Sequence, residues 1–157
     1  MPFPMEHQQE PEWCWDAVAV SIERYFNPAS QQTQVQLADQ VFGRPADEGW
    51  YLSNALQRLG RATRTVSGPL TFAEIQEQVK QNLPVCVEIQ WDSLHFHYVV
   101  ISGYRFSPTG APQLLVSDPL LQDSNVVVWD YEAFVLAYSP SYTNAEGVWA
   151  TTFLLQP

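Results

Sequence analysis

The sequence predicts an α+β fold in a single domain, residues 1–157, with helices first and an antiparallel sheet after them. A change of apolar spacing along the chain predicts this order. Apolar residues recur every three or four positions in the N-terminal half, and from Pro84 onward they follow the shorter period of strands. The length of 157 residues suits one domain, and 46% apolar against 15% charged residues is enough to build a core.

Four helices are predicted before the sheet. The first begins near Cys14 and stops at Asn27-Pro28, because proline cannot continue a helix. The fourth begins after Thr71, whose side chain can form a capping box with Glu74. Glycine or proline follows the ends of the others. The predicted helices cover residues 14–26, 35–42, 50–59 and 72–83.

Five strands and one short helix are predicted after Pro84. Aliphatic and aromatic residues dominate each strand, and turn sequences such as Asp118-Pro119 separate the strands. The predicted strands cover residues 85–89, 98–104, 113–116, 126–129 and 148–155, and the helix covers 131–138. This order places N-terminal helices against a C-terminal antiparallel sheet.

The charge of the chain excludes several kinds of partner. The formal net charge is −10, and the 7 lysine and arginine residues are scattered. A nucleic-acid site needs clustered basic residues, so no nucleic-acid partner is expected, and the same acidity disfavours anionic membrane surfaces. The sequence has no signal-peptide pattern and no apolar run of about 20 residues. We therefore expect a soluble protein, either cytoplasmic or exported by a specialised route.

A cysteine at the start of the first predicted helix is the most informative residue of the sequence. A helix N-terminus stabilises the negative charge of a thiolate at Cys14. The nearby acids Glu10, Glu12 and Asp16 oppose that charge, so the thiolate needs an imidazolium partner. The alternative interpretation is a small buried hydrophobic residue, which is what we expect of the other cysteine, Cys86.

Two histidines before the second predicted strand are candidates for that partner. His95 and His97 alternate with aromatic residues, so both would point to the same face of a strand, and either could act as the base. Such a pair also occurs in metal sites, but the sequence has no CxxC motif and no second histidine cluster to complete one. The sequence therefore predicts thiol nucleophilic catalysis without a metal or a cofactor.

Taken together, these segments resemble the papain-like cysteine peptidases. Gln8 precedes a Cys-Trp pair that opens the first helix, His97 begins an aromatic-aliphatic strand that ends in Gly-Tyr, and the segment 116–119 ends a strand in Asp-Pro. The similarity is greatest to the compact bacterial branch, which includes bacteriocin-leader-processing peptidases and papain-like effector proteases. It covers residues 8–129 and implies the same fold, with the nucleophile on the central helix.

The resemblance implies a role for each residue of the site. It makes Cys14 the nucleophile and His97 the base, since His97 directly precedes the aromatic-aliphatic run. It makes Asp118 the residue that orients the imidazole, although aspartate before proline is also an ordinary turn residue. Gln8 would donate to the oxyanion together with the backbone N–H of Cys14, and Gln9 is the alternative donor.

The function implied is a peptidase that cleaves peptide bonds through a Cys-His-Asp triad and an acyl-enzyme. The substrate expected of such an enzyme is a protein or a peptide. The candidates for its substrate-facing surface are Trp13, Trp50 and Trp91, and the alternative role for these residues is packing in the core. The same triad supports deamidation or acyl transfer, as in an effector or a toxin. A catalytically silent protein-binding module is the alternative outside enzyme function.

Overall fold

The computed structural model describes residues 2–156, and the elements found there confirm the predicted α+β fold class. The helices are α1 (Cys14–Phe26), α2 (Gln34–Phe42), α3 (Leu52–Arg58), α4 (Phe72–Lys80) and α5 (Tyr131–Leu136). The strands are β1 (Thr63–Ser67), β2 (Val85–Gln90), β3 (Phe96–Phe106), β4 (Pro112–Ser117), β5 (Val126–Asp130) and β6 (Val148–Leu155). Within residues 2–156, no helix has both the length and the apolar character needed to cross a membrane.

The strands form one sheet in the order β1-β6-β2-β3-β4-β5, and every neighbouring pair is antiparallel. Strand β3 is the longest and lies between β2 and β4. Its pairing with β4 shifts register between Ile101 and Gly103. A Cβ at Gly103 would lie 2.8 Å from Cδ1 of Leu115, so a side chain there would displace the end of the Leu115 side chain. His97 lies near the start of β3, so the centre of the sheet fixes the position of its imidazole.

Helices cover both faces of the sheet. Tyr98 and Val100 of β3 belong to a core that also contains buried residues of α1, α2 and α3. Val99 and Ile101 belong to a second core, to which α4 and α5 contribute. Successive residues of β3 alternate between the two cores because side chains alternate along a strand. The N-terminal helices therefore pack on the sheet as predicted, and α4 and α5 lie on its opposite face.

Strand β1 is missing from the sequence prediction. It is an edge strand that pairs with β6, and its five residues, 63–67, are exposed or half-buried. An edge strand of this kind does not need the apolar alternation that identifies a buried strand. Its sequence signal is limited to the β-branched residues Thr63, Thr65 and Val66.

Three helices are shorter than predicted, and the differences in α3 and α5 affect the region of the site. Helix α4 ends at Lys80, three residues earlier than predicted. Helix α3 begins later than predicted and leaves Trp50 and Tyr51 outside the helix. Helix α5 ends before Tyr138, whose backbone instead exchanges two hydrogen bonds of 2.8 Å with Gly147. Pro140 follows closely and does not permit the helix to continue.

Candidate active site

Cys14 is the first residue of α1, and two tryptophans hold the start of this helix in place. Trp13 is 2% exposed, and its indole N–H donates to the carbonyl of Ala46 at 2.8 Å. Trp15 is fully buried and donates to the carbonyl of Glu48 at 3.0 Å. The N-cap residue of α1 is Trp13, and its side chain makes no capping hydrogen bond. The backbone N–H groups beside the thiol are therefore not neutralised by a cap, and they favour negative charge there.

His97 and Asp118 form a buried pair next to the thiol. Nε2 of His97 lies 2.8 Å from Oδ1 of Asp118, and 3% and 0% of the two side chains are exposed. The side chain of Cys14 is close enough to the imidazole to help raise the pKa of His97. Asp118 occupies Nε2, which leaves Nδ1 as the ring nitrogen available to the thiol. The structure thus brings together three residues that come from α1, from β3 and from the segment after β4.

This environment favours a positively charged imidazole. Burial alone would lower the pKa of His97, but the charge and hydrogen bond of Asp118, with a smaller effect of Cys14, outweigh burial and raise that pKa to about 10. Burial would raise the pKa of Asp118, but the His97 charge outweighs it and holds the carboxyl pKa below its usual range. At neutral pH, His97 is an imidazolium and Asp118 is a carboxylate. The imidazolium is the positively charged partner that a thiolate at Cys14 needs.

Asp118 accepts hydrogen bonds at both of its oxygens. Oδ1 accepts from His97 and from the backbone N–H of Leu120, the latter at 2.8 Å. Oδ2 accepts from the hydroxyl groups of Tyr138 at 2.6 Å and Tyr142 at 2.7 Å. Neither tyrosine is predicted from the sequence to belong to the site. Tyr138 has the spacing of a helix end and Tyr142 lies in a loop, so no periodicity links either of them to Asp118.

The three tryptophans expected to face a substrate lie in different environments. Trp50 is half-buried near the thiol and packs edge-on against Trp15, with ring centroids 5.6 Å apart. Trp91 stacks on His97 at a centroid distance of 6.1 Å, so it covers the imidazole. Trp13 belongs to the core between the sheet and α1–α3. A ring buried so deeply offers no surface to a substrate, and the expectation for Trp13 is corrected accordingly.

A cavity of about 250 Å³ opens beside the thiol. Trp50 and Tyr51, which precede α3, line it together with Phe96 and Tyr98 from β3. The carboxylate of Glu12 lies at the same cavity. Tyr51 is 64% exposed and Phe96 is 45% exposed, so large apolar groups surround the opening. A cavity with this lining suits an apolar side chain.

Gln8, the expected oxyanion donor, is bound by the main chain that precedes the nucleophile. Its Nε2 donates to the carbonyls of Glu10 at 3.1 Å and Pro11 at 2.8 Å. Its Oε1 is buried and has no hydrogen-bond partner within the described residues. Its backbone N–H donates to the carbonyl of Pro119, which connects this loop to the residue after Asp118. Both side-chain N–H groups of Gln8 are therefore occupied, and the neighbouring Gln9 is exposed.

The other candidates from the sequence lie apart from the buried pair. His95 lies in the turn before β3, where Nδ1 is 2.9 Å from each carboxylate oxygen of Asp92, and its side chain is 70% exposed. Cys86 is fully buried, and burial raises the pKa of its thiol to about 12. Across residues 2–156, no cluster of His, Cys, Asp and Glu side chains is arranged to hold a metal ion.

Asp16 differs from its sequence expectation. It is fully buried, and neither carboxylate oxygen has a hydrogen-bond partner in the part of the chain that the structure describes. Burial, with a smaller effect of the charge on Glu6, raises the pKa of Asp16 to about 8. Asp16 is therefore mainly protonated at neutral pH and adds little negative charge against a thiolate at Cys14. The expected repulsion is corrected because burial neutralises the acid.

Comparisons with known proteins bear on both family and fold. The family model named Peptidase_C39 like family matches residues 1–150. A candidate C39-like peptidase from Bacillus anthracis has a TM-score of 0.61 at 15% identity, over 99% of this chain and 95% of that chain. The bromelain protease from Ananas comosus, solved with the E64 inhibitor, has a TM-score of 0.62 at 13% identity, over 98% and 94% of the two chains. No curated protein matches the chain. At these identities the structural likeness shows the fold, which is papain-like.

Proposed function

The chain belongs to the Peptidase_C39 like family and is a cysteine peptidase, and on this basis we propose that its catalytic triad consists of Cys14, His97 and Asp118. Cys14 is the nucleophile, His97 is the general base and acid, and Asp118 orients His97. The substrate is a protein or a peptide, which is cleaved through an acyl-enzyme. This assignment follows the family resemblance at each of the three positions.

The observation that carries the proposal is the buried His97–Asp118 pair beside the thiol, with its 2.8 Å hydrogen bond. In the resting enzyme Nδ1 of His97 holds the proton that Cys14 has given up, and the thiolate attacks the carbonyl carbon of the substrate. The imidazolium then gives its proton to the leaving amine, and water attacks the thioester. Asp118 remains ionised and keeps the Nε2 proton directed at Oδ1, so that Nδ1 faces the sulfur.

The oxyanion of this reaction would form beside the start of α1. The helix has no side-chain cap, so the backbone N–H of Cys14 is a suitable donor. For Gln8 to serve as the second donor, Nε2 must exchange one of its two present acceptors for the oxyanion. The carbonyl of Glu10 is the longer and weaker of the two bonds, 3.1 Å against 2.8 Å for Pro11. We therefore propose that substrate displaces the bond to Glu10.

The cavity beside Cys14 would select the substrate side chain close to the cleaved bond. Trp50, Phe96 and Tyr98 give it an aromatic lining, which favours a large apolar side chain. Glu12 at the cavity and the net charge of −10 favour a basic residue beside that apolar one. We therefore propose that the preferred substrates are peptides in which an apolar residue adjoins a lysine or an arginine.

The experiment that tests this function uses a mixture of peptides of known sequence. We expect the wild-type protein to create new peptide termini, with apolar residues enriched near the cleaved bond. Cys14→Ala should abolish cleavage because it removes the nucleophile, whereas Cys86→Ala should retain it because Cys86 is buried. Mass spectrometry of the products reads out both variants.

Three results of this experiment would contradict the proposed function or the proposed nucleophile. Conversion of glutamine to glutamate without chain cleavage, dependent on Cys14, would indicate a deamidase that uses the same triad. Cleavage that persists in Cys14→Ala would show that the nucleophile has been assigned to the wrong residue. An intact peptide mixture after incubation with wild-type protein would favour a catalytically silent binding module.

The charge of Asp118 should set the alkaline limit of activity. Asp118→Asn can still accept from His97 through its amide oxygen, and its NH₂ group can donate to the phenol oxygens of Tyr138 and Tyr142. The substitution removes the negative charge of Asp118, which raises the pKa of His97 more than burial lowers it. The pKa of His97 should therefore fall from about 10. We expect the alkaline limb of kcat/KM against pH to move down by more than about 1 pH unit. An unchanged alkaline limb in this variant would exclude Asp118 from the triad.

A further inference from the structure

The segment 138–147 forms a closed loop beside the proposed triad. Tyr138 and Gly147, at its two ends, exchange backbone hydrogen bonds of 2.8 Å. Gly147 has no room for a side chain, since a Cβ there would overlap Cγ2 of Ile89 and would lie 2.9 Å from the ring of Trp91. Trp91 itself stacks on His97. The ends of the loop are therefore fixed against the same indole that covers the imidazole.

Tyr142 projects from this loop onto the triad. Its hydroxyl donates to Oδ2 of Asp118 at 2.7 Å, and its ring lies edge-on to His97 at a centroid distance of 6.1 Å. Tyr142 is half-buried, whereas Tyr138, which donates to the same oxygen, is fully buried and packs against Trp129. Of the two phenols, Tyr142 is thus the one on a surface loop that contacts both Asp118 and His97.

The two oxygens of Asp118 are bound by different groups. Oδ1 accepts from His97 and from the backbone N–H of Leu120, and Oδ2 accepts from the two phenols. Rotation of the carboxylate about its bond to Cβ would break all of these bonds at once. Burial raises the pKa of both phenols far above the usual value, so they remain donors throughout the working pH range. The phenols therefore hold Oδ1 towards the imidazole and keep the carboxylate charged.

We propose that Tyr142 is a positioning residue that holds Asp118 against His97. Full activity therefore requires the loop 139–146 to keep the conformation in which Tyr142 contacts Asp118. This inference rests on the proposed triad. Tyr142 does not line the cavity beside Cys14. Its effect therefore falls on the chemical step and on the acid limb of the pH profile, and substrate binding is left unchanged.

Tyr142→Phe tests this inference, because it removes one hydroxyl and keeps the ring. A hydrogen bond to a charged group contributes about 1.5 to 3 kcal/mol, so we expect kcat to fall by about tenfold or more, with KM unchanged. The loss of one donor also raises the pKa of Asp118, so the acid limb of kcat should move to higher pH. The wild type and the variant are compared by steady-state kinetics on one peptide substrate from pH 4 to pH 10.

Tyr131→Phe is the matched control for the loss of a phenol hydrogen bond. The Tyr131 hydroxyl donates to the carbonyl of Leu70 at 2.8 Å, away from the triad, so this variant should keep the wild-type kcat and pH profile. A wild-type kcat and acid limb in Tyr142→Phe would overturn the inference, as would an equal loss in both variants. If Asp118→Asn alters the alkaline limb and Tyr142→Phe changes nothing, the triad stands and the positioning role fails. If neither Asp118→Asn nor Tyr142→Phe has an effect, the proposed triad fails as well.

Discussion

Replacing His97 by alanine should lower kcat/KM by up to about 10⁴-fold, the upper end of the range for one positioned acid–base group. The imidazole has two functions in the proposed mechanism, and both are lost together. It removes the proton of Cys14 before the attack, and it returns a proton to the leaving amine. Asp118 cannot replace it, because its nearest oxygen is already separated from the thiol by the imidazole ring.

His95→Ala is the control for this prediction. His95 is two positions away in the sequence, is exposed and is bound to Asp92. It also lines the cavity beside Cys14, so its loss can change KM but should leave kcat close to the wild-type value. Because removal of His97 leaves the buried charge of Asp118 without its partner, urea unfolding must show that His97→Ala is folded under assay conditions. His97→Gln, which fills more of the space, provides a second variant. Loss of kcat in His95→Ala with retention in His97→Gln would contradict the assignment of the base.

Asp16→Asn should increase the stability of the protein above pH 4, by up to about 4 kcal/mol at pH 7. The pKa of Asp16 is about 8 in the folded protein against 3.8 for an ordinary aspartate. Between these values the folded state holds a proton that the unfolded state has lost, so the wild type loses stability as the pH rises. Asparagine has the same shape and no charge, so the variant does not have this dependence.

The measurement is urea unfolding of both proteins at a series of pH values between 4 and 8. The difference in unfolding free energy should be small at pH 4 and should grow steadily towards pH 8. Asp39→Asn is the control, because Asp39 is exposed on α2 and its replacement should give a constant difference. Parallel stability curves for the wild type and Asp16→Asn would show that Asp16 is ionised in the folded protein.

Local patterns in the sequence were sufficient for most of the fold. The helices begin and end at signals that lie within a few residues of each boundary, such as the capping box of Thr71 and Glu74. The buried strands β2 and β3 have continuous apolar runs. Strand β1 is polar because it lies at an edge, and its formation depends on pairing with β6 far along the chain. The local sequence of β1 does not indicate that it pairs with β6.

In the proposed site, too, short sequence motifs predict some residues, whereas other residues are identified only from the folded structure. Cys14, His97 and Asp118 each belong to a short motif, so the sequence suggests them without any knowledge of the fold. Tyr138 and Tyr142 have no motif, and their role depends on a hydrogen bond to one oxygen of Asp118. Only the path of the loop 138–147 brings them there.

Burial explains the two corrections at the start of α1. The sequence places Asp16 two residues from Cys14 and therefore predicts repulsion, but it does not show that the carboxyl is completely buried. Trp13 is adjacent to the nucleophile in the sequence, and this position favours a side chain that faces the substrate. The turn before α1 instead directs its indole into the core, where it bonds the carbonyl of Ala46.

The most direct test of the central claim, a thiolate–imidazolium pair formed by Cys14 and His97, is the pH dependence of alkylation at each cysteine. Iodoacetamide is added to the native protein between pH 4 and pH 9, and mass spectrometry locates the label. We predict that Cys14 is alkylated even at the acidic end of this range, that Cys86 is protected by burial, and that His97→Ala abolishes the reactivity of Cys14 at low pH. An alkylation profile of Cys14 that is identical in the wild type and His97→Ala would contradict the pair and the mechanism derived from it.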